Sequence, residues 1–237
     1  MNVARRVALA ALAALLLGSC QNAPDTSARA EARLLERSIA AAIGVRAEGC
    51  HPNDRLGSGS MIDVDLAITA AHVVAGATGV RVVDADGAPT AAEVVLFDPD
   101  LDLALLRTAR PVGSPLTVGA PAESGDRGVL VTYRGEGNRR TRVANVVRVV
   151  RTVEIDTTDI YLDRPTTRAG FEFRAVIESG DSGGVVVLPE DNAGGMVWAK
   201  STEHPNRAWA VDIPDAVRDQ ASRRALVDTV DTGGCAP

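Results

Sequence analysis

Hydrophobic positions change their spacing along the chain. Val7 to Leu17 are apolar without interruption and follow the basic pair Arg5 and Arg6. That run falls short of the roughly 20 residues a spanning helix needs, and its basic flank is that of an export signal. Between residues 31 and 43, Leu34, Leu35, Ile39 and Ile43 recur at helix-like spacing, so the stretch is a lead-in helix or, in part, the first strand. From Arg55 onward apolar residues fall into short runs. They lie at about 79–83, 92–97, 103–107, 128–133, 141–150, 152–156, 171–177, 185–188, 195–200 and 208–213, with Gly, Pro and Asp turns between them. Short strands at such intervals predict an antiparallel barrel or sandwich. Pro111 to Pro121, rich in Pro and Gly, reads as a crossing between two halves. Pro214 opens a predicted helix over residues 215–227, with Arg218, Arg223 and Arg224 toward the end where cations suit the dipole.

Composition narrows the class. The 237 residues are 46% hydrophobic, enough for a sizeable core in one or two domains. The formal net charge is −6 and no basic block occurs, which argues against a nucleic-acid partner. Leu17-Gly18-Ser19-Cys20 resembles a bacterial lipobox, in which Cys20 is acylated and becomes the new N-terminus. Ordinary signal cleavage would instead remove Cys20 or leave it a stray thiol. The expected localisation is therefore export, with a lipid anchor in the outer face of a bacterial membrane, or else secretion. Gln21 to Ala30 reads as a polar tether.

If Cys20 carries lipid, Cys50 and Cys235 remain as a pair. Outside the cytosol the natural state of such a pair is a disulfide; the alternative is two buried thiols. Closing so long a loop stabilises by up to roughly 5 kcal/mol in the chain-entropy model. Cys50 beside His51, with no second ligand pair, does not match zinc spacing, and no metal site is expected.

Candidate chemistry centres on Glu178-Ser179-Gly180-Asp181-Ser182-Gly183-Gly184. A serine hydroxyl needs a base for its proton and donors for the oxyanion it creates. Glycines beside it let successive N–H groups point into one small space, so the N–H groups of Gly180 and Ser182 are candidate oxyanion donors. Alone, the same letters are also a surface turn. The chain has three histidines: His51 and His204 lie in polar loops, whereas His72 ends the apolar run Leu66-Ala67-Ile68-Thr69-Ala70-Ala71. Asp102 stands where an acidic residue enters the apolar run Leu103 to Leu106, costly to bury without hydrogen bonds, and so is the acid best placed to orient an imidazole. Asp98 and Asp100 flank Pro99 and read as turn residues.

With His, Asp and Ser in that order, the chain resembles the trypsin-like, chymotrypsin-fold serine peptidases over roughly residues 40–237. The matching segments are Thr69-Ala70-Ala71-His72, Asp102-Leu103-Ala104-Leu105-Leu106 and Gly180-Asp181-Ser182-Gly183-Gly184. Val94 to Pro99, Asp159-Ile160-Tyr161 and Ala208-Trp209-Ala210-Val211 are most similar to the actinobacterial periplasmic, acid-resistance type. The resemblance implies an all-β fold of two six-stranded antiparallel barrels with a C-terminal helix. With the signal peptide placed over 1–19 and the tether and lead-in helix over 20–38 from the residues themselves, it implies barrels at about 39–113 and 122–213 and a helix over 214–227. It also implies a His72–Asp102–Ser182 triad, an oxyanion hole from Gly180 and Ser182, polypeptide substrates, and no cofactor or metal. A monomer, held to the membrane by lipid on Cys20, is expected. A trypsin-fold lipoprotein that is catalytically silent and serves as a binding module is the alternative.

Three positions depart from the family. No Ile-Val-Gly-Gly-like start follows a processing site, so the supporting acid Asp181 needs a partner other than a new N-terminus: an internal arginine or backbone donors. Val185 replaces the usual Pro after the second Gly. Ala199-Lys200-Ser201 stands where the substrate-backbone strand belongs, without the family's pocket glycine. Val176, six residues before Ser182, would floor the primary pocket and favour small or aliphatic side chains.

Overall fold

The computed structural model describes residues 26–237 apart from His51, Ala85, Gly137 and Asn138. The signal segment, Cys20, the start of the tether and His51 lie outside the described residues. Residues 34–237 form one compact unit. Helix α1, Thr26–Ala41, begins inside the stretch expected to be tether. Its Ala, Glu and Arg content is favourable to helix, which the polar character of the stretch concealed. Within the compact unit, Leu34 and Ile39 pack on Ala42, Val129, Val131 and Tyr133, whereas Leu35 faces solvent. The helix ends at Ala41, so Ile43 belongs to the first strand.

Twelve strands form two closed six-stranded barrels. The first orders β1 (Ala42–Glu48), β2 (Arg55–Asp63), β3 (Leu66–Thr69), β6 (Leu103–Thr108), β5 (Pro89–Asp98) and β4 (Gly79–Val83), closing β4 onto β1. The second orders β10 (Val185–Leu188), β11 (Asn192–Lys200), β12 (Arg207–Val211), β9 (Pro165–Arg174), β8 (Arg139–Thr158) and β7 (Arg127–Glu136), closing β7 onto β10. All these pairings are antiparallel, so each barrel removes its own strand edges. Ile43, Met61, Ile68, Leu103 and Leu105 fill the first core; Leu130, Phe171, Phe173 and Val186 fill the second.

Two of the expected runs, 141–150 and 152–156, are one strand, β8, whose register shifts between Val149 and Arg151. Strand β9 starts at Pro165 and stops at Arg174, earlier at both ends than the apolar run 171–177 suggests. Pro165–Ala169 pairs only with Glu154–Thr158, as a two-stranded ribbon beyond the barrel wall, so no continuous apolar face marks it. The crossing at residues 111–121 is fastened to both halves: Leu116 N–H donates to Met61 O, and Thr117 N–H to Asp191 O.

The expected helix over 215–227 is two short helices, α3 (Asp215–Arg218) and α4 (Gln220–Ala225). Asp219 breaks the run in extended backbone, and its Oδ2 accepts from Ser222 N at 2.7 Å as the cap of α4. Arg223 is buried and donates to the carbonyls of Val217 and Arg218 at 2.6 and 2.8 Å, ending α3. The tail then returns to the first barrel, where Val230 N–H donates to Val94 O and Gly76 N–H to Thr232 O. Cys235 is disulfide-bonded to Cys50 across a sequence separation of 185. Among the described residues no helix is long and apolar enough to cross a membrane.

Candidate active site

His72 sits on the single turn α2 (Ala71–Val74) that follows β3. Asp102 sits in the turn between β5 and β6. Both carboxylate oxygens of Asp102 are taken by His72: Oδ1 accepts its backbone N–H at 2.8 Å and Oδ2 meets Nδ1 at 2.7 Å. That contact keeps the proton on Nδ1 and leaves Nε2 as the acceptor. Asp102 is 3% exposed and holds φ +57°, a left-handed conformation that costs an ordinary residue on the order of 1–2 kcal/mol. The turn is held to that shape from several sides. Ala71 N–H donates to Asp102 O, and Asp98 Oδ1 accepts from the N–H groups of Asp100 and Leu101. The second barrel clamps the same turn: Ile160 N–H donates to Pro99 O, Arg164 pairs with Asp100, and Arg168 Nε donates to Asp100 O at 2.7 Å.

Arg168 is buried, with its guanidinium 4.4 Å from the ring centroid of Trp198. Burial lowers its pKa, opposed by the nearby carboxylates, Asp102 first among them. It lines a cavity of about 260 Å³ with His72, Asp102, Ile160, Trp198 and Ala236. Arg55 ties the tail there, donating to the carbonyls of His72 and Ala236.

The serine loop is built by consuming most of its backbone donors. Asp181 N–H donates to Glu178 O, Gly183 N–H to Val197 O and Gly184 N–H to Asp181 O. Among the described residues the N–H groups of Gly180 and Ser182 have no acceptor. Gly180 has φ +95° and Gly183 +86°, conformations that favour glycine. A Cβ on Gly183 would lie 2.3 Å from Ser58 O, 2.5 Å from Thr69 Oγ1 and 2.7 Å from Ala70 N. The loop is therefore pressed against the segment that leads into His72. Ser182 is partly exposed, and its Oγ has no hydrogen bond to His72. Contacts of that kind commonly tighten only when substrate seats.

Asp181 is fully buried, and its partner is Arg134 on β7. Arg134 Nε lies 2.9 Å from Oδ1, and Nη2 lies 2.7 Å from Oδ2, a bidentate pair. The same guanidinium reaches Glu178 Oε1 at 3.0 Å and Val176 O at 2.8 Å, while Glu178 N–H donates to Asp181 Oδ2. The carboxylate thus has both an internal arginine and a backbone donor. Hydrogen bonding to Asp181 raises the pKa of Arg134 above its ordinary value.

Ser58 on β2 joins the two barrels at this point. Its N–H donates to Ser182 O at 2.8 Å, its Oγ donates to Gly180 O at 2.7 Å, and Tyr133 N–H donates to that Oγ at 2.8 Å. Sequence reasoning placed Ser58 on a Gly-Ser-Gly strand like the family's but gave no role to Ser58, Arg134 or Arg168. The Leu56-Gly57-Ser58-Gly59-Ser60 run was the one available signal for Ser58; a strand arginine carries none.

The residues expected to shape the primary pocket are Val176 and Ala199. Val176 is 54% exposed, and its carbonyl rather than its side chain is engaged, by Arg134. Neither the cavity at His72 nor a second one of about 300 Å³ at Leu56, Gly135, Ser179 and Gly180 is lined by it. Ala199 lies on β11 opposite Trp209, where the register shifts after Val197.

Two barrels with a hydrogen-bonded His–Asp pair on one and a glycine-bounded serine loop on the other define a class. The chain belongs to the trypsin-like peptidase domain family, whose model matches residues 57–196. Among individual proteins it is similar to two serine proteases of Mycobacterium tuberculosis, MT3772 and Rv3671c. Each is 33% identical over 181 residues, covering 76% of this chain and 44% of the relative. The chain thus spans less than half the length of these curated relatives. Its fold superposes on the crystal structure of the active form of Rv3671c protease with a TM-score of 0.78. The identity is 28%, over 91% of this chain and 94% of that one. The inactive form gives 0.68 at 26%, over 87% and 98%. These relatives are actinobacterial, as the sequence resemblance implied.

Ser58→Ala leaves the N–H of Tyr133 and the carbonyl of Gly180 without their buried partner. Urea unfolding is expected to show a loss of about 1–3 kcal/mol. An unchanged midpoint would mean that Ser58 does not hold the loop.

Proposed function

We propose that the chain is an exported serine endopeptidase, anchored by lipid on Cys20, that cleaves peptide bonds through an acyl-enzyme. The observation that carries this reading is the hydrogen-bonded His72–Asp102 pair beside a serine loop in which the N–H groups of Gly180 and Ser182 lack acceptors. In the proposed reaction Ser182 Oγ attacks the peptide carbonyl and His72 Nε2 takes its proton. The N–H groups of Gly180 and Ser182 stabilise the oxyanion, each such donor being worth about 10²–10³ in rate. Collapse expels the amine, protonated by His72, and water then hydrolyses the ester by the same steps. Asp102 orients the imidazole and stabilises its charged form. Because Arg134 satisfies Asp181, the loop needs no newly cut N-terminus, and the enzyme is competent without that form of zymogen activation.

A fluorophosphonate probe is expected to label the full chain and to fail on Ser182→Ala and His72→Ala. Asp102→Asn is expected to lower peptide turnover on the order of 10⁴, the loss known for this triad in trypsin-like enzymes. A folded wild type that resists the probe would contradict the reading and point to a binding module instead.

The anchor is supported by the apolar run, the lipobox-like residues and the pairing of the other two cysteines with each other. Expressed in a bacterium, the full chain is expected to take up a fatty-acid label and sediment with membranes, and Cys20→Ser to do neither. An unlabelled, soluble wild type would favour secretion.

A further inference from the structure

A groove of about 890 Å³ opens between β1, β4 and β5 of the first barrel and the β7–β8 hairpin of the second. Four arginines line it: Arg46, Arg81, Arg140 and Arg142. Two of them have carboxylate partners, Arg46 in Asp54 and Arg81 in Glu48. Among the described residues Arg140 and Arg142 have none. Arg142 is exposed and donates only to Ile39 O at 3.3 Å. Arg140 donates to the carbonyls of Gly57 and Tyr133, both at 2.7 Å, and to that of Val45 at 3.3 Å, and lies over the Tyr133 ring, but its Nε is buried without a partner. Burial pulls its pKa down to about 10, opposed by Tyr133 and by Asp181 at a distance. Among the described residues the one carboxylate lining the groove is Asp84, which accepts from the N–H groups of Asp86 and Ala88 and lies 3.5 Å from Arg110. A protein of net charge −6 therefore presents here a cationic concavity in which, among the described residues, two guanidinium groups have no carboxylate partner.

The walls between those charges are apolar, from Ile39, Leu56, Val83 and Val131. Such a surface suits a chain that carries carboxylates on a partly apolar backbone better than it suits a bare anion. Leu56 lines both this groove and the cavity at Ser179 and Gly180, so the groove adjoins the serine loop.

We infer that the groove binds an acidic segment of a polypeptide substrate, held through Arg142 and Arg140 away from the bond being cleaved. That this polypeptide is the substrate rests on the peptidase reading; the binding itself does not. Arg140 also holds the carbonyls of Gly57 and Tyr133, so its replacement would disturb the serine loop, and Arg142 is the clean probe.

The test uses the full chain carrying Ser182→Ala in mild detergent, with a fluorescein-labelled octapeptide of alternating glutamate and alanine read by fluorescence anisotropy. The glutamate peptide is expected to bind about tenfold more tightly than its glutamine counterpart, and less tightly as ionic strength rises. Arg142→Gln is expected to remove most of that preference. Arg224→Gln, the same charge change on exposed α4, is expected to leave it intact. Equal binding of the two peptides, or a preference that survives Arg142→Gln, would overturn the inference. So would tighter binding of a single-stranded oligonucleotide at the same site. Because no variant needs to turn over substrate, failure of the peptidase reading and failure of the groove give different results.

Discussion

A buried carboxylate one residue before Ser182 sets the terms for the rest of this structure. Asp181 is wholly removed from solvent. An isolated charge in that position costs several kcal/mol, and removing the partner of such a buried pair typically costs about 3–5 kcal/mol. Arg134 meets that requirement with a bidentate contact and, with the same guanidinium, holds the carbonyl of Val176 and the side chain of Glu178. One cation therefore fixes both ends of the segment that carries Gly180 to Ser182. Since the cation sits on β7, in the wall of the same barrel, the loop takes its shape as the barrel closes.

The proposed machinery divides between the barrels and is tied across their junction. The first barrel supplies His72 and Asp102, and the second supplies Ser182. Ser58 crosses from the first barrel to hold both carbonyls, Gly180 and Ser182, that flank Asp181. In the other direction, Ile160, Arg164 and Arg168 cross from the second barrel to clamp the turn that holds Asp102 in its left-handed conformation. The disulfide and Arg55 bring Ala236 to the wall of the cavity beside His72, so the tail contributes to the site as well as to stability.

Much of this was legible in the sequence, for identifiable physical reasons. Strands such as Gly79–Val83 and Val185–Leu188 are visible because they are short, apolar and bounded by turn residues. The His, Asp and Ser segments are visible because each sets a polar residue at the edge of an apolar run. The need for an internal partner at Asp181 follows from the missing N-terminal motif. What hid were contacts between residues far apart in sequence: Arg134 with Asp181, Ser58 with Gly180, and Arg168 with Trp198. The ribbon at Pro165–Ala169 hid because it lies outside the barrel and needs no apolar face. The break at Asp219 hid because its helix-capping role is indistinguishable, by composition, from a residue inside one helix.

The claim that a single internal ion pair sets the nucleophile loop is most directly tested by a double-mutant cycle on Arg134→Met and Asp181→Asn. Both the urea unfolding free energy and the rate of fluorophosphonate reaction at Ser182 would be read for each corner. The account predicts strong coupling, with a stability term of about 2–3 kcal/mol and a double variant that reacts no more slowly than either single one. Effects that add to within about 0.5 kcal/mol, or an Arg134→Met protein that reacts at the wild-type rate, would contradict it.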